Sequence, residues 1–525
     1  MKEIKPLVFE ELTLEQKLGL VNVVLSIDEI RTPERDAFLI DLIKNHRVGG
    51  VWVHANLPNA DEIVQMIRDA ADYPILIFTD VESGIDELLV GKQNTIGCTD
   101  SVEHAYNFGK LVGIRLRKRG YNVHTSILLD TKRPGSARCL GSDPKKAARL
   151  AEALVRGYHD AGVLAFGKHY PSGIMDLDVD THMAEATSSQ TEEELIEQSL
   201  YPYKYLIEKG LLDGIMTNHW RFVNIDPEHP ATLSKKMLSI IRERFGFDGI
   251  IITDALCMMG IRAKYGFYNA HGLAIEAGND LALPFAKEDY RESQQALIDC
   301  YNEGIISPER LDEAVKRVLA MQERTLAKPK VTEITEEDLA LFEKIHSDSL
   351  YAKCDEGLTP SISRDGKHFF AVMVRNESSV GGVAVDTFNN GWLYPQKVKD
   401  KILELFPNSK VEFFHQFPSQ EQNEKILGDS LGCDELVFLT FCEPICYTGP
   451  EHLTRRTESL INAMQLTNRI STLIHFGNPT VLGNLSHIPR YILGFTSEKS
   501  IETCLEVLAG EKEPNGKLTY DVTLN

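Results

Sequence analysis

From about residue 45 to 285, short apolar, β-branched runs alternate with stretches whose apolar residues recur at helical spacing. The runs are GGVWVH (49–54), PILIFTD (74–80), YNVHTSILLD (121–130), VLAFGKH (163–169), GIMTNH (214–219), GIIITD (249–254) and DLALP (280–284). Near-continuous apolar strands separated by helices predict a parallel sheet buried on both faces. Seven such strands over about 240 residues suit a (β/α)8 TIM-type barrel, with a doubly wound sheet as the alternative. The opening segment LTLEQKLGLV reads as a helix. Ser142-Asp143-Pro144 followed by KKAARLAEALVRGYHDAG predicts a helix stopped near Gly162. ATLSKKMLSIIRERFGFDG predicts another, ending near Gly246, and SPERLDEAVKRVLAMQERTL closes the region.

The texture then changes. AKPKVTEITEEDLAL (326–340) is charged and poor in apolar residues, as expected of a linker or crossover. Beyond it HFFAVMV, KVEFFH, ELVFLTF, STLIHF and RYILGF alternate with helical patterns, enough for a smaller α/β sandwich domain. The expected organisation is a barrel over 1–325, a linker over 326–344 and a second domain over 345–525.

Composition narrows the function. The 525 residues carry 56 Lys+Arg against 77 Asp+Glu, a net charge of −21. That balance lacks the basic footprint of a nucleic-acid binder and gives no attraction to anionic lipid. No apolar run reaches membrane-span length or resembles a signal-peptide core, so a cytoplasmic protein is expected. Nine scattered cysteines suggest reduced thiols rather than a disulfide framework, and Cys442-x-x-x-Cys446 has no histidine nearby. Nothing in the sequence signals a metal or an organic cofactor. The oligomeric state is left open.

Chemistry concentrates at the carboxyl ends of the predicted strands, which face the active-site mouth of a barrel. Read in order they are Asp80, Asp130, Lys168-His169, Asn218-His219 and Asp254. A single Asp there could be a helix N-cap, but five charged or amide-bearing ends together favour a site. Asp254 leaves a fully apolar strand, so its carboxylate emerges where water can be excluded and can attack an electrophilic carbon or stabilise a cation. Capping of a helix over ALCMMGI is the alternative. Asp176-Leu177-Asp178-Val179-Asp180-Thr181-His182 fails as a calcium loop, because Thr181 and Thr187 stand where glycine and glutamate are needed. Asp180-x-His182 instead puts a carboxylate within reach of an imidazole if the loop folds back, which would make a general acid/base.

These residues fall into a pattern. IIITDALCMMGI around Asp254 resembles the nucleophile segment of family 3 glycoside hydrolases, especially the β-N-acetylglucosaminidase branch. In family order, LTLEQKLGLV is similar to the opening helix, VGGVWVHAN to the first barrel strand and FTDVESG to an Asp-Gln-Glu-Gly-Gly strand end. ARCLGSDP resembles the sugar-binding arginine segment, GKHYP the Lys-His-Phe-Pro segment and DTH the Asp-Ser-His dyad. PATLSKKML and AGNDLALP are similar to later parts of the barrel. IHFGNPTVL and GEKEPNGKLTYDV resemble the sandwich domain that follows the barrel in two-domain members.

The resemblance implies a retaining, exo-acting glycosidase acting on terminal β-linked N-acetylglucosamine, in cell-wall fragments or chito-oligosaccharides. Asp254 would be the nucleophile and His182, held by Asp180, the acid/base; Asp80, Arg138, Lys168 and His169 would bind the terminal sugar. Two local departures are Ser172-Gly173-Ile174 where the family has Gly-His-Gly, and Ser83-Gly84-Ile85 where it has Gly-Gly-Arg. The competing expectations are a phosphorylase using inorganic phosphate, a β-glucosidase, and a sugar-binding protein on an inactive barrel.

Overall fold

The protein is described by a computed structural model covering residues 4–26, 31–131, 138–177, 179–284, 289–374, 395–442, 452–466 and 470–525. Asp178 and Cys446 lie outside the described residues. Contacts divide the chain into two compact units. The first holds Met1–Leu88, Ala105–Arg133 and Pro144–Asp338; the second holds Leu89–His104, Pro134–Asp143 and Leu339–Asn525.

The first unit is built on seven strands: β1 Val23–Ser26, β2 Gly50–Val53, β3 Leu76–Thr79, β4 Val123–Leu128, β5 Leu164–Tyr170, β6 Gly214–Thr217 and β7 Ile250–Ile252. They pair in chain order and every pairing is parallel. Two parallel bridges, Asn22 to Ala282 and Ile252 to Leu281, join the edges of the sheet. Leu281 and Ala282 thus take the eighth place of a (β/α)8 barrel, with bridges where DLALP was expected to form a strand. The expected first strand is in fact the second. β1 precedes it, and α-helix Leu14–Leu20 runs into β1 with only Val21 and Asn22 between.

Residues alternating along the strands point into the barrel. Val23, Trp52, Leu76, Phe78, Val123, Leu164, Phe166, Met216, Ile250 and Ile252 belong to one buried cluster. Trp52 stacks on Phe78 at 6.0 Å between centroids, and Phe78 meets Phe166 edge-on at 5.9 Å. Glycine makes room for these rings: a Cβ on Gly214 would lie 2.3 Å from the Phe166 ring. This aromatic layer is the floor beneath the strand ends.

The helix at Pro144–Asp160 begins with proline, whose missing N–H costs nothing there. It ends as expected: Gly162 has φ +79°, with Val163 N–H donating to Tyr158 O and Gly162 N–H to His159 O. The helix expected over ATLSKKMLSIIRERF is broken into a 3-10 turn (Ala231–Leu233), a short α segment (Lys235–Ser239) and a π turn (Ile240–Arg244).

The second unit is a six-stranded sheet of β8 Tyr351–Cys354, β9 His368–Val374, β10 Lys410–His415, β11 Glu435–Cys442, β12 Ile470–Gly477 and β13 Arg490–Gly494. Its order is β8-β13-β12-β11-β9-β10, with only the β8–β13 pairing antiparallel. Its closing segment is tied to the unit's early pieces: Thr519 Oγ1 donates to Leu140 O at 2.9 Å and Tyr520 Oη to Cys139 O at 2.6 Å. The stretch expected as a linker is irregular from 328 to 335 and then helical over Glu336–Asp348.

Candidate active site

Four strands of the first unit deliver charged groups to the barrel mouth, and the groups pair across it. Lys168, on β5, is 3% exposed at its side chain; its Nζ lies 2.6 Å from Asp80 Oδ2, beyond β3, and 3.1 Å from Glu82 Oε1. A buried ammonium needs such partners, since an isolated one would lose its proton. Sequence reasoning passed over Glu82 as a ligand of the lysine; the only signal was its place two residues beyond Asp80.

His169 is held by Asp130 through two contacts. Its backbone N–H donates to Oδ1 at 3.3 Å, and ring Nδ1 lies 2.9 Å from Oδ2. An ionised carboxylate only accepts, so Nδ1 carries a proton and Nε2 is directed away from Asp130. Nε2 stands 4.0 Å from Asp254 Oδ2. Asp130 was visible as a charged strand end, but its work is to orient His169.

Asp254 follows β7. Its N–H donates to Thr217 O at 3.1 Å, and its Oδ1 accepts the Ala255 N–H at 2.7 Å. The next helix starts only at Met259, so Asp254 is not an N-cap to ALCMMGI. Burial pushes the carboxyl pKa up, but His169, His219, the Ala255 N–H and His182 outweigh it and leave the group below its ordinary value. The carboxylate is therefore ionised at neutral pH and partly exposed, and among the described residues its Oδ2 faces only the neighbouring imidazole.

His219 stabilises the chain beside it. Its Nε2 lies 3.0 Å from Ala255 O and its Nδ1 2.8 Å from Thr232 Oγ1. Burial holds its pKa below the ordinary value, so the neutral ring donates from Nε2 to the carbonyl that follows Asp254. It is a positioning group.

Asp180 and His182 meet without a long loop excursion. Asp180 Oδ1 accepts the His182 backbone N–H at 2.9 Å and lies 2.7 Å from ring Nδ1. The two-residue spacing works because a side-chain turn lets one oxygen reach both groups. His182 O accepts from Met259 N at 3.1 Å, which ties this loop to the segment beyond Asp254. A carboxylate-held imidazole that remains 31% exposed at its side chain can give and take a proton. Nearby, Asp176 Oδ1 takes the Ser189 N–H at 2.8 Å and its Oγ at 2.7 Å, a structural use of the first acidic residue.

The structure thus brings Asp80, Lys168, His169 and Asp254 together, with His182 close enough for its charge to act on Asp254. Arg138 is half-buried and belongs to a segment of the second unit. Among the described residues no three His, Cys, Asp or Glu side chains are placed to hold a metal ion, and no helix is long and apolar enough to cross a membrane.

A parallel barrel with an ionised aspartate and a carboxylate-bound histidine near its strand ends has the parts of an enzyme for acid/base and covalent chemistry. Residues 13–321 match the glycosyl hydrolase family 3 N-terminal domain, and the chain belongs to that family of glycoside hydrolases. A curated beta-hexosaminidase of Tolumonas auensis is 29% identical over 271 residues, 49% of this chain and 80% of that protein. One from Nitrosomonas eutropha is 31% identical over 256 residues, 45% and 73% of the two chains. A solved family 3 beta-N-acetylglucosaminidase of Paenibacillus sp. is 25% identical, with a TM-score of 0.82 over 98% of this chain and 100% of that one. A beta-glucoside phosphorylase has the same fold at TM-score 0.80 and 23% identity, covering 98% and 95% of the two chains.

Proposed function

We propose that this chain is an exo-acting, retaining β-N-acetylglucosaminidase. The observation that carries the reading is the Asp180–His182 pair, 2.7 Å apart and tied by backbone to the segment after Asp254. Asp254 attacks the anomeric carbon and the glycosidic C–O bond breaks, giving a covalent glycosyl-enzyme. His182 gives its proton to the departing oxygen, then takes one from the water that releases the sugar. An imidazole here replaces the second carboxylate used by most retaining glycosidases. Asp80, Lys168 and His169 hold the terminal sugar by charge-assisted hydrogen bonds. The names of the beta-hexosaminidase relatives support the choice of sugar.

A cytoplasmic role in recycling cell-wall fragments or chito-oligosaccharides fits an acidic chain whose scattered cysteines suggest no disulfide framework. Fractionation of the cells tests that part by itself.

One observation favours a second reading, transfer of the sugar to inorganic phosphate. A neutral imidazole does not repel an incoming phosphate as a carboxylate does. The deciding experiment is hydrolysis of aryl β-N-acetylglucosaminide and aryl β-glucoside with and without phosphate, with the sugar product identified. Free N-acetylglucosamine from the first substrate alone supports the hydrolase. A sugar 1-phosphate moves the assignment to phosphorylase, and preference for the glucoside overturns the sugar.

A further inference from the structure

β2 is followed directly by a histidine, His54, that none of the roles above uses. Val51, Trp52 and Val53 alternate out, in and out of the barrel, which turns His54 inward one step above Trp52. Trp52 pairs with Phe78 in register across β2 and β3, so the next inward position on each strand places His54 beside Asp80. The same step on β5 leads from Phe166 to Lys168. The aromatic floor of Trp52, Phe78 and Phe166 therefore carries a second layer of His54, Asp80 and Lys168. His54 feels the charges of both neighbours, and its ring contacts Trp52 at 6.5 Å between centroids. Among the described residues it makes no side-chain hydrogen bond, and it is half-buried at the mouth rather than packed into the core.

We propose that His54 is a further sugar-binding residue, hydrogen-bonding the terminal sugar's hydroxyls beside Asp80 and Lys168. The chemistry of the layer argues for it. Asp80 only accepts and Lys168 only donates, whereas a neutral imidazole does one of each. Burial and the Lys168 charge work against protonation of His54, with Asp80 opposing them, and the net direction is below the ordinary histidine value. The ring is thus neutral at pH 7 and presents one N–H and one lone pair. A vicinal diol, which offers donor and acceptor together, is the group that such a ring matches. The side chain lies beside the sugar-holding groups, so its effect belongs to the glycone and not to the leaving group. This inference rests on the assignment of Asp80 and Lys168 as sugar ligands.

The test uses whichever aryl glycoside the wild-type enzyme turns over, so a wrong choice of sugar does not decide it. His54→Phe keeps the ring volume over Trp52 and removes both hydrogen-bonding atoms. The expected result is a roughly tenfold or greater rise in KM and in Kd for the free sugar, the loss of about one hydrogen bond, with equal effect on good and poor leaving groups. His54→Gln, which retains a donor and an acceptor, recovers part of the loss. The second measurement needs no variant: saturating sugar shields His54 of the wild-type enzyme from carbethoxylation by diethyl pyrocarbonate, mapped by peptide. Unchanged KM and Kd in a folded His54→Phe enzyme overturns the proposal. If that variant does not fold, full modification of His54 under saturating sugar overturns it and shielding supports it.

Discussion

One oxygen of Asp180 takes both the backbone N–H and the ring Nδ1 of His182, at 2.9 and 2.7 Å. The same carboxylate fixes where the ring stands and which nitrogen faces out, so Nε2 is the atom left for proton transfer. His182→Ala should cost little on aryl glycosides with acidic phenols, which leave unaided. On sugar leaving groups it should cost roughly 10²–10⁴-fold in kcat/KM. Asp180→Asn should follow the same leaving-group pattern with a smaller loss, because the ring remains but its orientation and basicity do not. Plotting log(kcat/KM) against leaving-group pKa checks both. A slope unchanged from wild type in His182→Ala removes the acid role.

The nucleophile makes a sharper prediction. Asp254→Asn keeps the shape and removes the attacking charge, so turnover should fall by on the order of 10⁴-fold or more while sugar binding persists. Near-normal turnover in that variant ends the assignment.

The pH dependence follows from the same group. Burial raises the Asp254 pKa, and three imidazoles with the Ala255 N–H bring it below the ordinary value. The ionised form is the working form, so the activity it carries holds above that depressed pKa and is lost only as pH falls through it, below about 3.9. His169→Gln removes the neighbour 4.0 Å away and should move the acid limb of kcat/KM upward. The limb is read from initial rates after brief exposure to acid, with folding followed in parallel. A limb that does not move assigns the depression to the remaining groups.

The strand ends were legible in the sequence because a buried parallel strand is written as an apolar run, and a polar residue at its exit stands out. What those ends do to one another was not legible. Asp130 and His219 look like Asp80 and Asp254 in sequence, yet one orients His169 and the other braces the chain after Asp254. Only register across the barrel separates a group that faces the mouth from one that supports it. Val23–Ser26 was invisible as a strand because its four residues follow the preceding helix after only two residues and read as its continuation, and Tyr351–Cys354 because a four-residue edge strand has little pattern. The grouping of Pro134–Asp143, and so of Arg138, with the second unit depends on contacts to residues nearly 400 positions later, such as Leu140 with Thr519.

Acid should destabilise the fold before it silences Asp254. Burial lowers His124, His346 and His475 to about 4 each. Unfolded, these rings titrate near 6.5, so between roughly pH 6.5 and 4 the unfolded chain binds protons that the folded chain refuses. Stability contributed by the neutral rings is present above that window and is lost as pH falls through it. His124→Phe, which retains the contact with Tyr158 at 4.6 Å, should flatten the fall in Tm from pH 7 to 5. An unchanged slope would show that His124 is protonated in the folded protein.

Lys168 links binding to folding. Its ammonium lies between Asp80 and Glu82, at 2.6 and 3.1 Å, and is almost wholly buried. Lys168→Met keeps the apolar stem and leaves two carboxylates facing each other without a cation. Breaking a buried pair in this way should cost about 3–5 kcal/mol in chemical denaturation and abolish sugar binding as well. Glu82→Gln added to Lys168→Met removes one of the two stranded charges and should restore part of the stability, by about 0.5–3 kcal/mol of coupling. It should restore none of the binding, because the donor to the sugar is still missing. Additive losses in the double variant would mean that Lys168 and Glu82 do not interact in solution. Recovered binding would mean that Lys168 serves the fold and not the substrate.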